Sequence, residues 1–172
     1  WIKTGMRDKG STIGAYLQRA PLHLDLGDYE SPESPEILVA GCGTGQHALN
    51  TAARFLNARV LAVDLSLSSL CYAWRKSDEL NVSNIDYAQA DILELGTLGR
   101  RFDVIECGGV LHHLGDPVAG WRVLVDLLRP GGLMKIGLLQ EGDLTGTDEA
   151  TRYHDLVEEV KLADSLGFSA WG

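Results

Sequence analysis

The sequence predicts a doubly wound α/β domain, in which helices cover both faces of a mostly parallel sheet. Three observations predict it: short apolar runs bounded by glycine or polar residues, helical periodicity between these runs, and a glycine-rich turn after the first run. Strands that alternate with helices form right-handed βαβ units, whose parallel strands are buried on both sides. We expect six strands in the order 3-2-1-4-5-6.

The apolar runs and the periodic stretches give each element its place in the chain. The strands are expected at 37–40, 60–63, 85–90, 102–106, 133–139 and 168–171, and the helices at 46–55, 66–80, 116–128 and 147–166. Ser66 and Asp116 are suited to N-cap their helices, and Pro130-Gly131-Gly132 is suited to end one. In residues 1–35 we expect a short helix and then an irregular segment interrupted by prolines. One domain is expected over residues 36–172, with an atypical segment from residue 134.

Composition and charge exclude several classes of function. The 172 residues contain 15 basic and 24 acidic side chains, a net charge of −9, which disfavours nucleic acid as a partner. No apolar stretch is long enough to cross a membrane, and the N-terminus lacks the apolar core of a signal peptide. Three cysteines without metal-ligand spacing predict reduced thiols in a cytoplasmic protein and no metal site. Since the chain begins with Trp1, we expect it to be part of a longer one.

The glycine-rich turn is the most specific local signal. Gly41, Cys42, Gly43 and Gly45 lie between a predicted buried strand and a predicted helix, where glycine permits positive φ and the backbone can approach a ligand. Dinucleotide sites require G-x-G-x-x-G, but Gln46 stands where the third glycine belongs. The turn therefore favours a different nucleotide-like ligand, and the alternative is a tight turn that binds nothing.

Acidic residues end the next two predicted strands. Asp64 can accept both hydroxyls of a ribose, and its alternative role as a helix cap is already supplied by Ser66. Asp91 can accept the exocyclic amine of adenine, with an ordinary cap or turn as its alternative. We include three further residues among the candidate cofactor-binding residues: Leu65, Ile92 and Glu106.

These motifs resemble those of class I S-adenosylmethionine-dependent methyltransferases, which have a Rossmann-like sheet. The resemblance is carried by segments 37–45, 62–64, 89–92, 102–106 with 109–114, and 128–132. Segments 1–5, 45–48 and 64–70 are similar, more narrowly, to the methyltransferase domain of bacterial tetratricopeptide-repeat methyltransferases. The resemblance implies S-adenosylmethionine as cofactor, S-adenosylhomocysteine as product and an acceptor that the sequence does not identify.

Methyl transfer needs little chemistry from the protein, because the donor is already activated. Positioning and the exclusion of water supply much of the acceleration, and a base is required only where the acceptor must lose a proton. Glu106, His112 and His113 follow the fourth strand and are candidates for that base, although His112 could instead be a packed or capping residue. Cys42 and Cys107 are expected to be small buried thiols.

The end of the chain resembles a different family. From Met134 onward, the segments 134–139 and 153–168 look like the first strand, helix and second strand of luciferase-like flavin monooxygenases, which are (β/α)₈ barrels. We expect a chimera joined near 133–139, and the alternative is a divergent methyltransferase tail.

Two functions compete with that of a methyltransferase. One is a chimeric or truncated chain that at most binds the cofactor, and the other is a nucleotide-binding oxidoreductase. An exposed strand edge at 134–139 or 168–171 would favour a homodimer.

Overall fold

The computed structural model describes residues 10–19, 27 and 29–137. The chain divides into two units, Trp1–Gly137 and Leu138–Gly172, and every described residue lies in the first. The helix expected over 147–166, the sixth strand at 168–171 and the last two residues of the strand expected over 133–139 lie outside the described residues.

The described residues form one five-stranded parallel sheet. Its strands are β1 (Glu36–Ala40), β2 (Arg59–Asp64), β3 (Ile85–Gln89), β4 (Phe102–Gly108) and β5 (Leu128–Gly137), in the order β3-β2-β1-β4-β5. Every neighbouring pair is parallel. The predicted fold class and the order of the first five strands are therefore confirmed. β1 lies at the centre of the sheet, and its last four side chains are at most 1% exposed.

In the described part of the chain four α-helices surround this sheet, and two of them begin at the predicted caps. They are α1 (Ile13–Leu17), α2 (Gln46–Arg54), α3 (Leu67–Glu79) and α4 (Pro117–Asp126). The Ser66 hydroxyl accepts a hydrogen bond from the backbone N–H of Ser69 at 3.2 Å, and the Asp116 carboxylate accepts one from Ala119 at 3.0 Å. Each cap satisfies a backbone donor that the first helical turn cannot pair internally.

Two short connections depart from the predictions. Pro130-Gly131-Gly132 does not end the fourth helix but lies inside β5, which begins at Leu128. Phe102 of β4 pairs with Leu128 of β5, and Val104 pairs with Leu133. Two residues of β4 therefore lie opposite five residues of β5, and the extra residues of β5 form a bulge. Gly131 accommodates the bulge with a φ of +75°. A 3-10 helix over Ile92–Leu98 was not predicted.

The N-terminal segment packs onto the end of α2. The backbone N–H of Ser11 donates to the Arg54 carbonyl at 2.8 Å, and the N–H of Leu56 donates to the Ser11 carbonyl at 3.0 Å. Ile13 of α1 is 1% exposed and shares a core cluster with residues of β1 and α2. The Ala48 side chain of α2 is fully buried, and α2 contacts β2 and β3. The glycine turn that precedes α2 is thereby held at the carboxyl edge of the sheet.

Candidate functional site

The glycine turn between β1 and α2 is anchored to the neighbouring strand. The backbone N–H groups of Gly41 and Cys42 both donate to the Val63 carbonyl of β2, at 2.8 and 2.9 Å, and the Gly45 N–H donates to the Cys42 carbonyl at 2.9 Å. All three glycines have positive φ: +75° at Gly41, +51° at Gly43 and +87° at Gly45. Side chains other than glycine rarely adopt this backbone, so the sequence builds a rigid turn there.

The three glycines differ in what surrounds them. A Cβ at Gly41 would lie 2.1 Å from Cγ2 of Val110, and a Cβ at Gly45 would lie 2.5 Å from the Cβ of Ala73. These two glycines are therefore required by the packing of the protein itself. A Cβ at Gly43 would meet no described atom within 4 Å. Gly43 thus leaves open the face of the turn that a ligand could approach.

Asp64, at the end of β2, turns its carboxylate toward this open face. Its Oδ2 accepts a hydrogen bond from the Gly43 N–H at 2.7 Å, and its Oδ1 accepts one from the Ser66 N–H at 2.8 Å. A carboxylate offers about four acceptor positions, so roughly two remain for other donors. Because Ser66 itself caps α3, Asp64 is not needed as that cap.

Asp91 lies at the end of the connection from β3 and caps the 3-10 helix that follows. Its Oδ1 accepts a hydrogen bond from the Leu93 N–H at 2.9 Å, so the alternative role as a cap is present in the structure. An apolar residue follows each of the two aspartates: Leu65, after Asp64, is 61% exposed, whereas Ile92, after Asp91, is 5% exposed. The Gln89 side chain donates to the Leu65 carbonyl at 2.8 Å and ties the ends of β2 and β3 together.

Glu106 of β4 is the most unusual residue of the sheet, because its carboxylate is only 2% exposed. Three side chains of α2 contact it. His47 Nε2 lies 3.0 Å from Oε2, the Thr51 hydroxyl donates to Oε2, and the Arg54 guanidinium donates to Oε1 at 2.9 Å. Both carboxylate oxygens therefore have partners within the chain, so Glu106 joins α2 to β4.

The electrostatics of this cluster keep the carboxylate ionised. Burial would raise the pKa of Glu106, but hydrogen bonds from His47 and Thr51 and the charges of His47 and Arg54 outweigh it and lower the pKa to about 2. The side chains of His47 and Arg54 are 34% and 25% exposed and so reach solvent, whereas that of Glu106 is only 2% exposed.

The candidate bases after β4 lie on the surface. His112 and His113 belong to a 3-10 helix, Leu111–His113, and both are exposed. Their rings contact one another with centroids 3.9 Å apart. His112 is therefore not buried, because the 3-10 turn directs only Leu111 inward.

The three cysteines differ in their exposure to solvent. Burial raises the pKa of the Cys42 thiol to about 12 and that of Cys107 to about 11, whereas Cys71 is exposed. The two buried thiols thus have the small apolar role expected of them. Residues 10–19 and 29–137 contain no group of three His, Cys, Asp or Glu side chains placed to hold a metal ion, and no helix there could cross a membrane.

The partners of Glu106 were missed in the sequence, although a signal was present. His47, Thr51 and Arg54 recur at intervals of four and three residues, which places them on one face of α2. A polar stripe on the inward face of a helix requires a buried polar partner. Glu106, the charged residue in the otherwise apolar end of β4, is that partner.

The chain belongs to the methyltransferase domain family, whose model matches residues 37–132, more than half of the chain. It is 37% identical to an uncharacterized protein of Synechococcus sp. over 108 residues, 62% of this chain and 26% of that protein. It is 32% identical to a ubiquinone biosynthesis O-methyltransferase of Acinetobacter baumannii over 128 residues, 73% of this chain and 53% of that protein. The chain thus spans about a quarter and about half of the lengths of these two relatives.

Solved structures show the same fold. The structure of PKMT2 from Rickettsia typhi in complex with AdoHcy matches with a TM-score of 0.55 and 29% identity, over 60% of this chain and 21% of that one. A crystal structure of an S-adenosylmethionine-dependent methyltransferase from Clostridium acetobutylicum matches with a TM-score of 0.55 and 26% identity, over 61% of this chain and 42% of that one.

Proposed function

We propose that this domain binds S-adenosylmethionine and transfers its methyl group to an acceptor whose identity stays open. The observation that carries the proposal is the open face of the turn at Gly43, with the Asp64 carboxylate hydrogen-bonded beside it at 2.7 Å. A carboxylate in this position suits the paired hydroxyls of a ribose, because both hydroxyls donate hydrogen bonds. The family match and the relative solved with AdoHcy support the same cofactor.

The order of the strands orients the cofactor in this proposal. Asp64 and Asp91 follow the neighbouring strands β2 and β3, so the ribose would lie over β2 and the adenine toward β3. The exposed Leu65 side chain would cover the adenine ring, while the buried Ile92 would support the connection from beneath. Gly41, Cys42 and Gly45 would hold the turn in shape. In this account they act through the backbone rather than through their side chains.

The chemical step in this proposal relies on positioning. Bound S-adenosylmethionine would supply an activated methyl group, which an acceptor held in line with the carbon–sulfur bond would take as S-adenosylhomocysteine is released. His112 and His113 stay candidates for a base that accepts the acceptor's proton, since both are exposed after β4. Glu106 is a weaker candidate for this role, because its lowered pKa and its partners on α2 make it a poor proton acceptor.

Calorimetry on the full chain tests the cofactor. The proposal predicts binding of S-adenosylmethionine and S-adenosylhomocysteine and none of NAD. Asp64→Ala should weaken S-adenosylhomocysteine by roughly 1.5–3 kcal/mol, the value of charge-assisted hydrogen bonds to the ribose. Asp86→Ala, which removes an exposed carboxylate from β3, is the matched control and should leave the affinity unchanged. Equal affinities for the wild type and Asp64→Ala, with unchanged circular dichroism, would remove Asp64 from the site.

We propose further that the segment from Met134 derives from a flavin monooxygenase barrel, a proposal that rests on the sequence resemblance alone. Residues 134–137 pair in parallel with β4 and so continue the methyltransferase sheet. The competing functional candidate is a chimeric chain that binds the cofactor without turnover. Activity toward any methyl acceptor would exclude it. A crystal structure in which residues 168–171 run antiparallel beside β5 would contradict the barrel origin.

Two properties of the whole protein follow as proposals. β5 lies at one edge of the sheet formed by the described residues, which supports a homodimer paired through residues 134–139. Light scattering that gives a monomer at micromolar concentration would contradict it. The three cysteines are free, which supports a reducing compartment such as the cytoplasm.

A further inference from the structure

We propose that His47, held in place by Glu106, contacts the amino-acid tail of the cofactor and makes the site favour ligands that carry this tail. The inference rests on the proposed function, because it assumes that an adenosine is bound beside Asp64. It assigns a role to a side chain that the sequence motifs did not single out.

The first support is the orientation of the His47 ring. Its Nε2 lies 3.0 Å from Oε2 of Glu106, whose carboxylate is held in turn by Thr51 and Arg54. The opposite edge of the ring lies over the end of β4, because a Cβ at Gly108 would be 3.8 Å from both Cε1 and Nδ1 of His47. Among the described residues, Nδ1 has no hydrogen-bond partner. The side chain is 34% exposed, so a ligand can reach it.

The second support is the position of His47 relative to Asp64. The strand order places β2 on one side of β1 and β4 on the other. An adenosine whose ribose contacts Asp64 and whose base extends toward β3 must direct its 5′ substituent the other way, across Gly43 toward β4. Adjacent strands are about 4.8 Å apart, so this substituent needs to cross only one or two strand spacings. The 5′ substituent of S-adenosylmethionine carries the sulfonium and the amino-acid tail, which would then end beside His47.

The chemistry of the ring suits the two charged groups of that tail. Since Glu106 accepts the hydrogen on Nε2, Nδ1 is the ring nitrogen that faces the ligand. Nδ1 can therefore form a hydrogen bond with one of the two charged groups of the tail. His47 acts as a binding residue, and Glu106 is the positioning residue behind it.

Comparison of two ligands on the full chain tests the inference. S-adenosylhomocysteine carries the tail, and 5′-methylthioadenosine has the same nucleoside and sulfur without it. We expect His47→Ala to weaken S-adenosylhomocysteine about tenfold, the loss of one hydrogen bond to a charged group, and to change 5′-methylthioadenosine less than about twofold. His47→Gln should show the same selective loss, because its amide can replace Nε2 beside Glu106 but leaves nothing at Nδ1. Asn50→Ala, at an exposed position of the same helix, is the control and should change neither affinity.

The outcomes separate this inference from the proposed function. If both ligands weaken equally in the His47 variants, or neither weakens, His47 does not contact the tail and the inference is overturned. The inference is also overturned if His47→Gln binds S-adenosylhomocysteine as tightly as the wild type. A side chain that only contacts Glu106 would then be sufficient for full affinity. If the wild-type chain binds neither ligand, the proposed cofactor site itself is wrong.

Discussion

Glu106→Gln is the substitution whose effect on stability the structure defines most closely. The side chain keeps its size but loses the charge that His47 and Arg54 surround. A fall in the pKa of this carboxyl from 4.5 to about 2 corresponds to about 3 kcal/mol of stability. We therefore expect the variant to be about 3 kcal/mol less stable at pH 7, since its neutral amide cannot pair with the Arg54 guanidinium as the carboxylate does.

The pH dependence of this loss identifies its cause. A carboxyl with a lowered pKa in the folded state contributes its full stability above the unfolded value of 4.5, and loses it as the pH falls toward 2. The difference between the wild type and Glu106→Gln should accordingly shrink to about half at pH 3, because the carboxyl is then protonated in the unfolded chain but still largely ionised in the folded one. Urea unfolding followed by circular dichroism at several pH values measures this difference.

Glu94→Gln provides the matched control, because Glu94 is an exposed carboxylate on the 3-10 helix. Its free energy of unfolding should stay within about 0.5 kcal/mol of the wild type at every pH. If the loss in Glu106→Gln is the same at pH 3 as at pH 7, the buried charge is not its source and the account of the cluster is refuted.

Two further predictions concern the glycine turn and the thiols. Gly43→Ala should lose only about 1–2 kcal/mol of stability through its positive φ, whereas Gly45→Ala should lose more because its Cβ would lie 2.5 Å from that of Ala73. Urea melts measure both, and equal losses would contradict the difference in packing. In the native protein near pH 8, a thiol reagent should modify Cys71 alone, because burial raises the pKa of the other two thiols to about 12 and about 11. Mass spectrometry that finds rapid labelling of all three cysteines would contradict this.

Much of the fold could be predicted because local signals and tertiary structure agree. The helix caps at Ser66 and Asp116 were visible as residue types at the start of apolar periods, and the structure confirms both. β5 was harder, since Pro130-Gly131-Gly132 is typical of a helix end. Only the pairing with β4 shows that this segment runs on as a bulged strand.

The candidate site was predicted less completely, for a related reason. Gly43 and Asp64 follow consecutive strands, so their meeting at one sheet edge follows from the parallel topology. The cluster around Glu106 instead joins a strand to a helix about 50 residues away in the chain. Its geometry depends on how α2 packs over β4, which the sequence indicated only through the polar stripe that begins at His47.

A crystal structure of the full chain grown with S-adenosylhomocysteine tests the central claim most directly. The account predicts density for the ligand against the open face of Gly43, with the ribose hydroxyls within hydrogen-bond distance of Asp64. Density for the ligand elsewhere, or a ribose that makes no contact with this carboxylate, would contradict it.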